Sequence, residues 1–156
     1  ISYPITISEA INLNNQNYIG LIDEIISKIS VGDELVGVPQ NESEATYSIW
    51  RDNDDYLINW NETAEEIKRL IDAVGSPYLG ARGVTSSGYT VKIVKAEVVD
   101  DVYFELRHVG KVIFINYGNP TVVCGRGLLR ITEAYQLASN EENTYLPMKS
   151  FRVKFV

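Results

Sequence analysis

The amino-acid sequence predicts an α+β fold, in which helices come first and a small antiparallel β-barrel follows. In the first half, apolar residues recur at helical spacing, from residue 18 to 29 and again from 64 to 74. From residue 83 onward the period changes to the alternation that is typical of strands, with glycine-containing turns between the short segments. Five or six short strands separated by such turns favour a small barrel.

The first helix is predicted to begin after Thr6. Thr6 and Glu9 have the spacing of a capping box, in which a hydroxyl and a carboxylate satisfy free N–H groups at a helix start. Gly32 followed by Asp33 closes the pattern. Residues 12–17 are rich in asparagine, which has poor helix propensity, so we expect a break that divides this stretch into two helices.

The next helix is predicted over residues 63–74. Thr63 and Glu66 repeat the capping-box spacing, and Gly75 ends the helix with Pro77 just beyond it. The strands that we expect after it are 89–94, 98–106, 111–116, 121–124, 128–133 and 151–156.

Length and composition indicate a globular chain. With 156 residues, 45% of them hydrophobic, it can bury a core as one domain or as two small packed units. Cys124 is the single cysteine, so no internal disulfide can form and a reducing compartment is indicated. Because the sequence has neither a run of 18 apolar residues nor a signal-peptide pattern, we expect a cytoplasmic protein with no membrane contact.

The charge is unevenly divided along the chain. Residues 1–75 carry fourteen Asp and Glu against four Lys and Arg, whereas residues 76–156 carry seven against ten. The first half is therefore at −10 and the second at +3, which together give the net charge of −7. Since affinity for a phosphate backbone depends on Lys and Arg, we do not expect the first half to bind nucleic acid.

Catalytic and metal-binding patterns are sparse. The one histidine, His108, is interpreted as a surface or turn residue and Cys124 as a small core residue. An EF-hand loop counted from Asp52 would place Leu57 where glycine is required and Thr63 where glutamate is required, so a solvated turn fits better than a calcium site. We expect no catalytic residue and no metal site in this chain.

A series of residues between positions 40 and 131 has the order and spacing of a known family. These are Gln40, Glu44-Ala45-Thr46-Tyr47, Arg51, Asp54-Asp55, Ile58-Asn59-Trp60, Ala64, Ile67, Ile71, Ala73, Pro77-Tyr78-Leu79-Gly80-Ala81, Gly110-Lys111-Val112 and Val122 to Ile131. The chain resembles the 10-formyltetrahydrofolate-dependent formyltransferases, a family that includes methionyl-tRNA formyltransferase and the sugar-nucleotide N-formyltransferases.

The resemblance implies three regions. Residues 1–40 would be the helical tail of the Rossmann-like catalytic domain, 41–82 the junction with its linker helix 63–74, and 83–156 an OB-like C-terminal barrel. The family's Asn, His and Asp catalytic residues would lie upstream of Ile1. We therefore expect this chain to be inactive alone and to bind no cofactor, 10-formyltetrahydrofolate being the cofactor of the parent enzyme.

The resemblance also suggests an acceptor. Where members that act on tRNA often show Ile-Arg-Ala, this chain has Ile71-Asp72-Ala73, and a familiar Gly-Asp-Gly turn is Gly125-Arg126-Gly127. Together with the acidic first half, this is more similar to the enzymes that formylate a dTDP-4-amino-4,6-dideoxy sugar. The expected partners are that nucleotide sugar, the missing catalytic domain and a second copy in a homodimer, without nucleic acid.

Five junction residues are predicted to help hold the acceptor: Trp50, Arg51, Asp55, Tyr56 and Trp60. Arg51 offers a fork for phosphate, and the aromatic rings offer surfaces for a base. In the competing interpretation the two tryptophans join packed units and Arg51 pairs with Asp54 or Asp55.

Two other functions stay open. The chain is interpreted alternatively as the tRNA-binding end of methionyl-tRNA formyltransferase, or as a free-standing OB-type binding or scaffolding module. An OB module would present aromatic residues to nucleic acid, but Tyr89, Tyr103, Phe104 and Phe114 are explained at least as well by packing inside the barrel.

Overall fold

A computed structural model describes residues 2–138 and 141–156. The chain divides into two compact units, Ile1–Arg51 and Asp52–Val156. The three-region division into 1–40, 41–82 and 83–156, and the origin of the first region in a Rossmann-like domain, stay predictions.

The first unit is built on one helix, α1, over Ile7–Ser30. Its capping box is formed as predicted: the Glu9 N–H donates to Thr6 Oγ1, and the Glu9 carboxylate accepts from the Thr6 N–H at 2.8 Å. At the other end, Gly32 adopts φ 85° and the Asp33 N–H donates back to the Lys28 carbonyl, which completes a Schellman turn.

The predicted break within α1 is wrong, because the helix runs through residues 12–17 without interruption. The low helix propensity of asparagine costs only about 0.7 kcal/mol or less per residue relative to alanine. A break would also leave further backbone N–H and C=O groups without partners, in addition to those at the two capped ends. None of the helix residues is buried.

The second unit begins with a short 3₁₀ turn, Asn53–Tyr56, and continues into helix α2, Ala64–Val74. The predicted second helix is confirmed to within one residue, including its Thr63–Glu66 capping box. The apolar face of α2 is buried at Ala64, Ile67, Ile71 and Val74, and it packs mainly against the second strand of the sheet.

A six-stranded antiparallel sheet forms the rest of the second unit. Its strands are β1 (Ala81–Val84), β2 (Thr90–Val99), β3 (Val112–Asn116), β4 (Asn119–Val123), β5 (Leu128–Ala138) and β6 (Glu141–Thr144). The strand order is β1-β2-β5-β4-β3, and β6 pairs with the far end of β5. The predicted α+β class is therefore confirmed.

The predicted OB-like barrel is not closed in the part of the chain that the structure describes. The strands β1 and β3 form the two ends of the strand order, and residues 153–156 reach both of them by single bridges. Phe155 pairs with Thr85 just after β1, and Lys154 pairs with Lys111 just before β3. Because these are isolated bridges, the sheet stays open and the predicted strand 151–156 does not form as a ladder.

Other strand predictions were wrong at their limits. The predicted strands 89–94 and 98–106 are replaced by the single strand β2, which ends at Val99. The residues from Asp100 onward form a loop. Strand β1 was not predicted because Ala81–Val84 contains an arginine and a glycine. Strand β6 was missed because Glu141–Thr144 is polar at every position and exposed.

The buried core joins α2, the sheet and residue 155. Phe155 packs on Trp60 with ring centroids 4.9 Å apart. Gly83 in β1 is needed there, since an added Cβ would lie 2.9 Å from the Phe155 ring. Cys124 is also buried, and desolvation raises the pKa of its thiol to about 12, so the thiol stays protonated and unreactive.

Within residues 2–138 and 141–156, no helix is long and apolar enough to cross a membrane.

Candidate functional site

The five residues predicted to hold an acceptor fall into different settings. Trp50 is 97% exposed, and Arg51 is exposed at the end of the first unit. Asp55 accepts a hydrogen bond from the Asp52 N–H at 2.6 Å within the short 3₁₀ turn. Tyr56 and Trp60 are buried in the second unit, Trp60 being only 3% exposed. Their predicted role in binding an acceptor stays a prediction.

Arg82 holds the turn to which Tyr56 belongs. Its guanidinium carbon lies 5.5 Å from the centre of the Tyr56 ring, a cation–π distance, and its Nη2 donates to the Asn53 carbonyl at 3.3 Å. The ion pairs found among the described residues include none for Arg51. Sequence reasoning missed Arg82, which is 29 positions from Asn53.

An arginine clamp fixes the loop that follows β2. Two hydrogen bonds join Arg107 Nη1 to the Asp101 carboxylate at 3.0 and 3.1 Å. The other nitrogens donate to carbonyls: Nε to Cys124 at 2.8 Å and Nη2 to Gly127 at 2.6 Å. Burial tends to raise the pKa of Asp101, but hydrogen bonds from Arg107, Gly127 and Val102 outweigh it, so the pKa is lowered.

The Gly125-Arg126-Gly127 turn is tied to the start of α2. The Gly125 N–H donates to the carbonyls of Trp60 and Glu62, each at 2.9 Å, and the Ala64 N–H donates to the Arg126 carbonyl. A Cβ at Gly125 would lie 1.9 Å from the Asn61 carbonyl oxygen, so only glycine allows this close approach. The turn thereby fixes the segment that carries Trp60.

Two lysines oppose each other on the surface of the second unit. Lys111 and Lys154 are partners in an isolated antiparallel bridge, which puts their side chains on one face. Both are exposed, and neither has a carboxylate partner among the ion pairs of the described residues. Opposed like charges destabilise a strand pair, so this arrangement suits an external anion.

A cleft of about 430 Å³ lies beside this lysine pair. It is lined by Ile58, Asn59, Trp60, Asn61, Arg107, His108, Val109, Lys154, Phe155 and Val156. The lining contains three basic side chains and two amides, and no Asp or Glu side chain. His108 is exposed, as the sequence predicted, and lies in this lining.

A second cavity, of about 500 Å³, lies on the sheet and includes Phe114, Asn116, Thr121 and Arg130. Phe114 is exposed rather than packed in a core, and so are Tyr89 and Tyr103. The interpretation of these three rings as barrel packing is therefore wrong. Phe104 alone of the four is partly covered, with the Arg107 guanidinium 5.0 Å from its ring centre.

The described residues contain no group of three or more His, Cys, Asp or Glu placed to hold a metal ion.

Comparison with known proteins places these features in a family. Residues 51–151 match the domain described as formyl transferase, C-terminal domain. The chain belongs to this formyltransferase family. The matched range covers α2, all six strands and the arginine clamp.

Three curated relatives of this formyltransferase domain carry the same name. Methionyl-tRNA formyltransferase of Geobacter metallireducens is 30% identical over 112 residues, which cover 72% of this chain and 34% of that protein. The enzyme of that name from Ralstonia pickettii is 28% identical over 113 residues, with 72% and 34% covered. The one from Syntrophomonas wolfei is 27% identical over 131 residues, with 84% and 40% covered. The chain thus spans between a third and two-fifths of the length of these relatives.

Proposed function

We propose that this chain is the C-terminal part of an enzyme that formylates methionyl-tRNA, and that its second unit contacts the RNA. The names of the three relatives support this acceptor. In the parent enzyme, a catalytic domain outside this chain would hold 10-formyltetrahydrofolate, whose formyl group would pass to the amino group of the methionyl-tRNA. The chain alone would bind the RNA without catalysing transfer.

The observation that carries the proposal is the bridge between Lys111 and Lys154. Two exposed ammonium groups on one face, without a carboxylate partner in the described part of the chain, are suited to neutralising backbone phosphates. Residues 76–156 have a net charge of +3, from ten Lys and Arg against seven Asp and Glu. The expectation against nucleic acid rested on the acidic first half, to which the proposal assigns no RNA contact.

Nothing in these relatives supports a nucleotide-sugar acceptor. That interpretation relied partly on Asp72 replacing a basic residue of the tRNA-formylating members. Asp72 is buried and its carboxylate pairs with Lys68 Nζ on the same helix. Because this position faces the interior, the change from arginine to Asp72 does not remove an exposed basic contact in this chain.

The test is binding of the purified chain to a methionine tRNA, followed by fluorescence anisotropy at several salt concentrations. We expect the affinity to fall as the salt concentration rises. Lys111→Gln and Lys154→Gln should each reduce the slope of log affinity against log salt concentration by about one, which corresponds to the loss of one phosphate contact. Lys28→Gln is the control, since Lys28 pairs with Glu24 in the first unit and should leave the slope unchanged. Binding that is undetectable at low salt, or a slope that the double lysine variant does not alter, would contradict the proposal.

A further inference from the structure

We propose that the sheet face around Phe114, together with Tyr117 at the adjoining hairpin tip, binds unpaired nucleotides of the RNA by stacking on their bases. The inference rests on the proposed function, because it names the part of the RNA that the second unit contacts. It uses residues to which that proposal gives no role.

A row of paired residues crosses four strands on one face of the sheet. Phe114 of β3 pairs with Thr121 of β4, and Thr121 pairs with Arg130 of β5. Arg130 pairs in turn with Glu97 of β2. Because directly paired residues project from the same face, these four side chains lie side by side. The second cavity, of about 500 Å³, lies over this row and is lined by Phe114, Thr121 and Arg130.

Phe114 supplies an aromatic surface to this cavity. Its side chain is 43% exposed and lines the opening. Unpaired bases of RNA are bound by stacking on exposed aromatic rings, with hydrogen bonds from neighbouring groups to the base edge. A ring that stays open to a cavity with polar groups around it is therefore suited to a base.

The polar groups of the lining favour a base over a phosphate. The Arg130 side chain makes one hydrogen bond among the described residues, from Nη1 to Glu97 at 3.5 Å, although a guanidinium has five N–H donors. Asp100 adds a carboxylate to the lining and Asn116 an amide. With Glu97 and Asp100 beside one arginine, a phosphate would gain little there. A base edge carries both donors and acceptors, which match this mixture.

Tyr117, at the tip of the hairpin between β3 and β4, is an independent indication. Its φ is 53°, and it is the one non-glycine residue with positive φ in the described part of the chain. Its side chain is fully exposed, so no packing offsets the cost of this conformation. The turn itself is held in place, since the Met148 N–H donates to the Gly118 carbonyl at 2.8 Å. Strained residues of this kind are concentrated at binding sites.

Strand β3 connects these rings to the lysine pair. Lys111 lies three positions before Phe114, roughly 10 Å along an extended strand, and Tyr117 lies three positions after it. A single strand of RNA that follows β3 would place a phosphate at Lys111 and bases at the two rings. Basic groups for the backbone and aromatic rings for the bases are the combination that binds single-stranded nucleic acid.

The test separates stacking from charge neutralisation. The full chain is titrated into a fluorescently labelled single-stranded RNA of about ten nucleotides, and anisotropy is followed at several salt concentrations. Phe114→Leu keeps an apolar side chain and removes the ring. We expect about tenfold weaker binding at every salt concentration with an unchanged salt slope, because stacking releases no counterions. Phe151→Leu is the control, since Phe151 is an exposed phenylalanine outside the lining, and it should bind like the unaltered chain.

Tyr117→Asn should change stability and binding in opposite directions. Asparagine adopts positive φ at lower cost than tyrosine, so we expect the thermal unfolding midpoint to rise by about 3 °C. The affinity for the single strand should nevertheless fall about tenfold, because a stacking ring is lost. Tyr47→Asn is the control, since Tyr47 is 91% exposed in the first unit, and it should leave the RNA affinity unchanged.

A duplex RNA of the same sequence completes the experiment. Its bases are already stacked on one another, so Phe114→Leu and Tyr117→Asn should leave duplex affinity unchanged. Circular dichroism reports whether each variant is folded, and if Phe114→Leu does not fold, Tyr117→Asn decides the question alone.

Single-strand affinity that neither aromatic variant reduces would overturn the inference and would assign this face to a protein partner. Equal weakening for single strand and duplex would also overturn it. In both cases, a salt slope that falls in Lys111→Gln would leave the proposed function standing. A full chain that binds neither RNA would overturn both.

Discussion

At the scale of single residues, the arginine clamp explains how a loop without regular structure is held in place. Asp101 accepts from Arg107 and also from the Gly127 N–H at 3.1 Å, so one carboxylate joins the loop after β2 to the turn before β5. This clamp was not predictable, since Arg107 and Gly127 are twenty positions apart and nothing in their spacing marks them as partners. Its two charged residues, Asp101 and Arg107, lie six positions apart in the loop that replaces the predicted strand.

The clamp predicts a pH effect on stability. The folded pKa of Asp101 is lowered below its usual value of 3.8, so its contribution is complete above that pH and is lost as pH falls through the folded pKa. Asp101→Asn should lower the free energy of unfolding by about 1 kcal/mol at pH 7 and by less at pH 2.5. Urea unfolding at both pH values measures the difference.

The control for that comparison is Glu97→Gln. Glu97 pairs with Arg130 at 3.5 Å, at the sheet surface, and we expect its loss to change stability by less than about 0.5 kcal/mol at either pH. An equal loss in both variants would mean that Asp101 contributes only as an ordinary surface charge.

Trp60 shows what the sequence can and cannot say about a residue. Its aromatic character and its place before α2 indicated a junction between packed elements, and it does pack on Phe155. The partner lies 95 positions further along the chain, beyond the reach of local spacing. The burial of Trp60 and the exposure of Trp50 depend on tertiary packing, which gives the same residue type opposite environments.

At the scale of elements, the capping boxes were the most predictable feature. In α2 the Glu66 N–H donates to Thr63 Oγ1, and the Thr63 N–H donates to the Glu66 carboxylate at 2.9 Å. These contacts join residues three positions apart, so the sequence determines them directly. The hydrogen bond from the Thr63 backbone also lowers the pKa of Glu66.

Thr63→Ala should therefore destabilise the second unit by about 1 kcal/mol, because the first turn of α2 loses its cap. The measurement is urea unfolding followed by the fluorescence of Trp60 in a Trp50→Phe background. Thr6→Ala removes the matching cap of α1 in the first unit, and we expect it to leave this transition where it was. Equal shifts in the two variants would show that the two units unfold together.

The strands were harder to predict because pairing partners, rather than residue types, decide them. Strand β6 is a polar segment that becomes a strand by pairing with Tyr135 to Ala138 of β5. Residues 151–156 have the alternating composition of a strand, yet they make only single bridges. An alternating pattern of apolar and polar residues was therefore not needed for β6 to form. In residues 151–156 the same pattern was not enough to form a strand.

At the scale of the whole molecule, the core belongs to the second unit. Every member of the buried hydrophobic cluster lies between Tyr56 and Phe155, whereas α1 contributes no buried residue. The first unit instead exposes a row of apolar side chains at helical spacing: Tyr18, Leu21, Ile22, Ile25, Ile26 and Ile29.

We expect a fragment of residues 52–156 to fold alone, because it contains the whole cluster and all six strands. Its thermal unfolding midpoint, measured by circular dichroism, should lie within about 3 °C of the corresponding transition of the full chain. A fragment with no cooperative transition, or with disordered amide signals, would show that residues 1–51 are needed to complete the fold.

The position of Phe155 has a consequence for synthesis on the ribosome. Among the described residues this ring is the largest fully buried side chain; Phe155 itself bridges to Thr85, and its neighbour Lys154 bridges to Lys111. A nascent chain that has not yet released residue 155 from the exit tunnel still lacks the ring that packs on Trp60. Until then, the side of Trp60 that this ring covers in the folded unit stays open, and we expect chaperones that bind apolar surface to act in that interval.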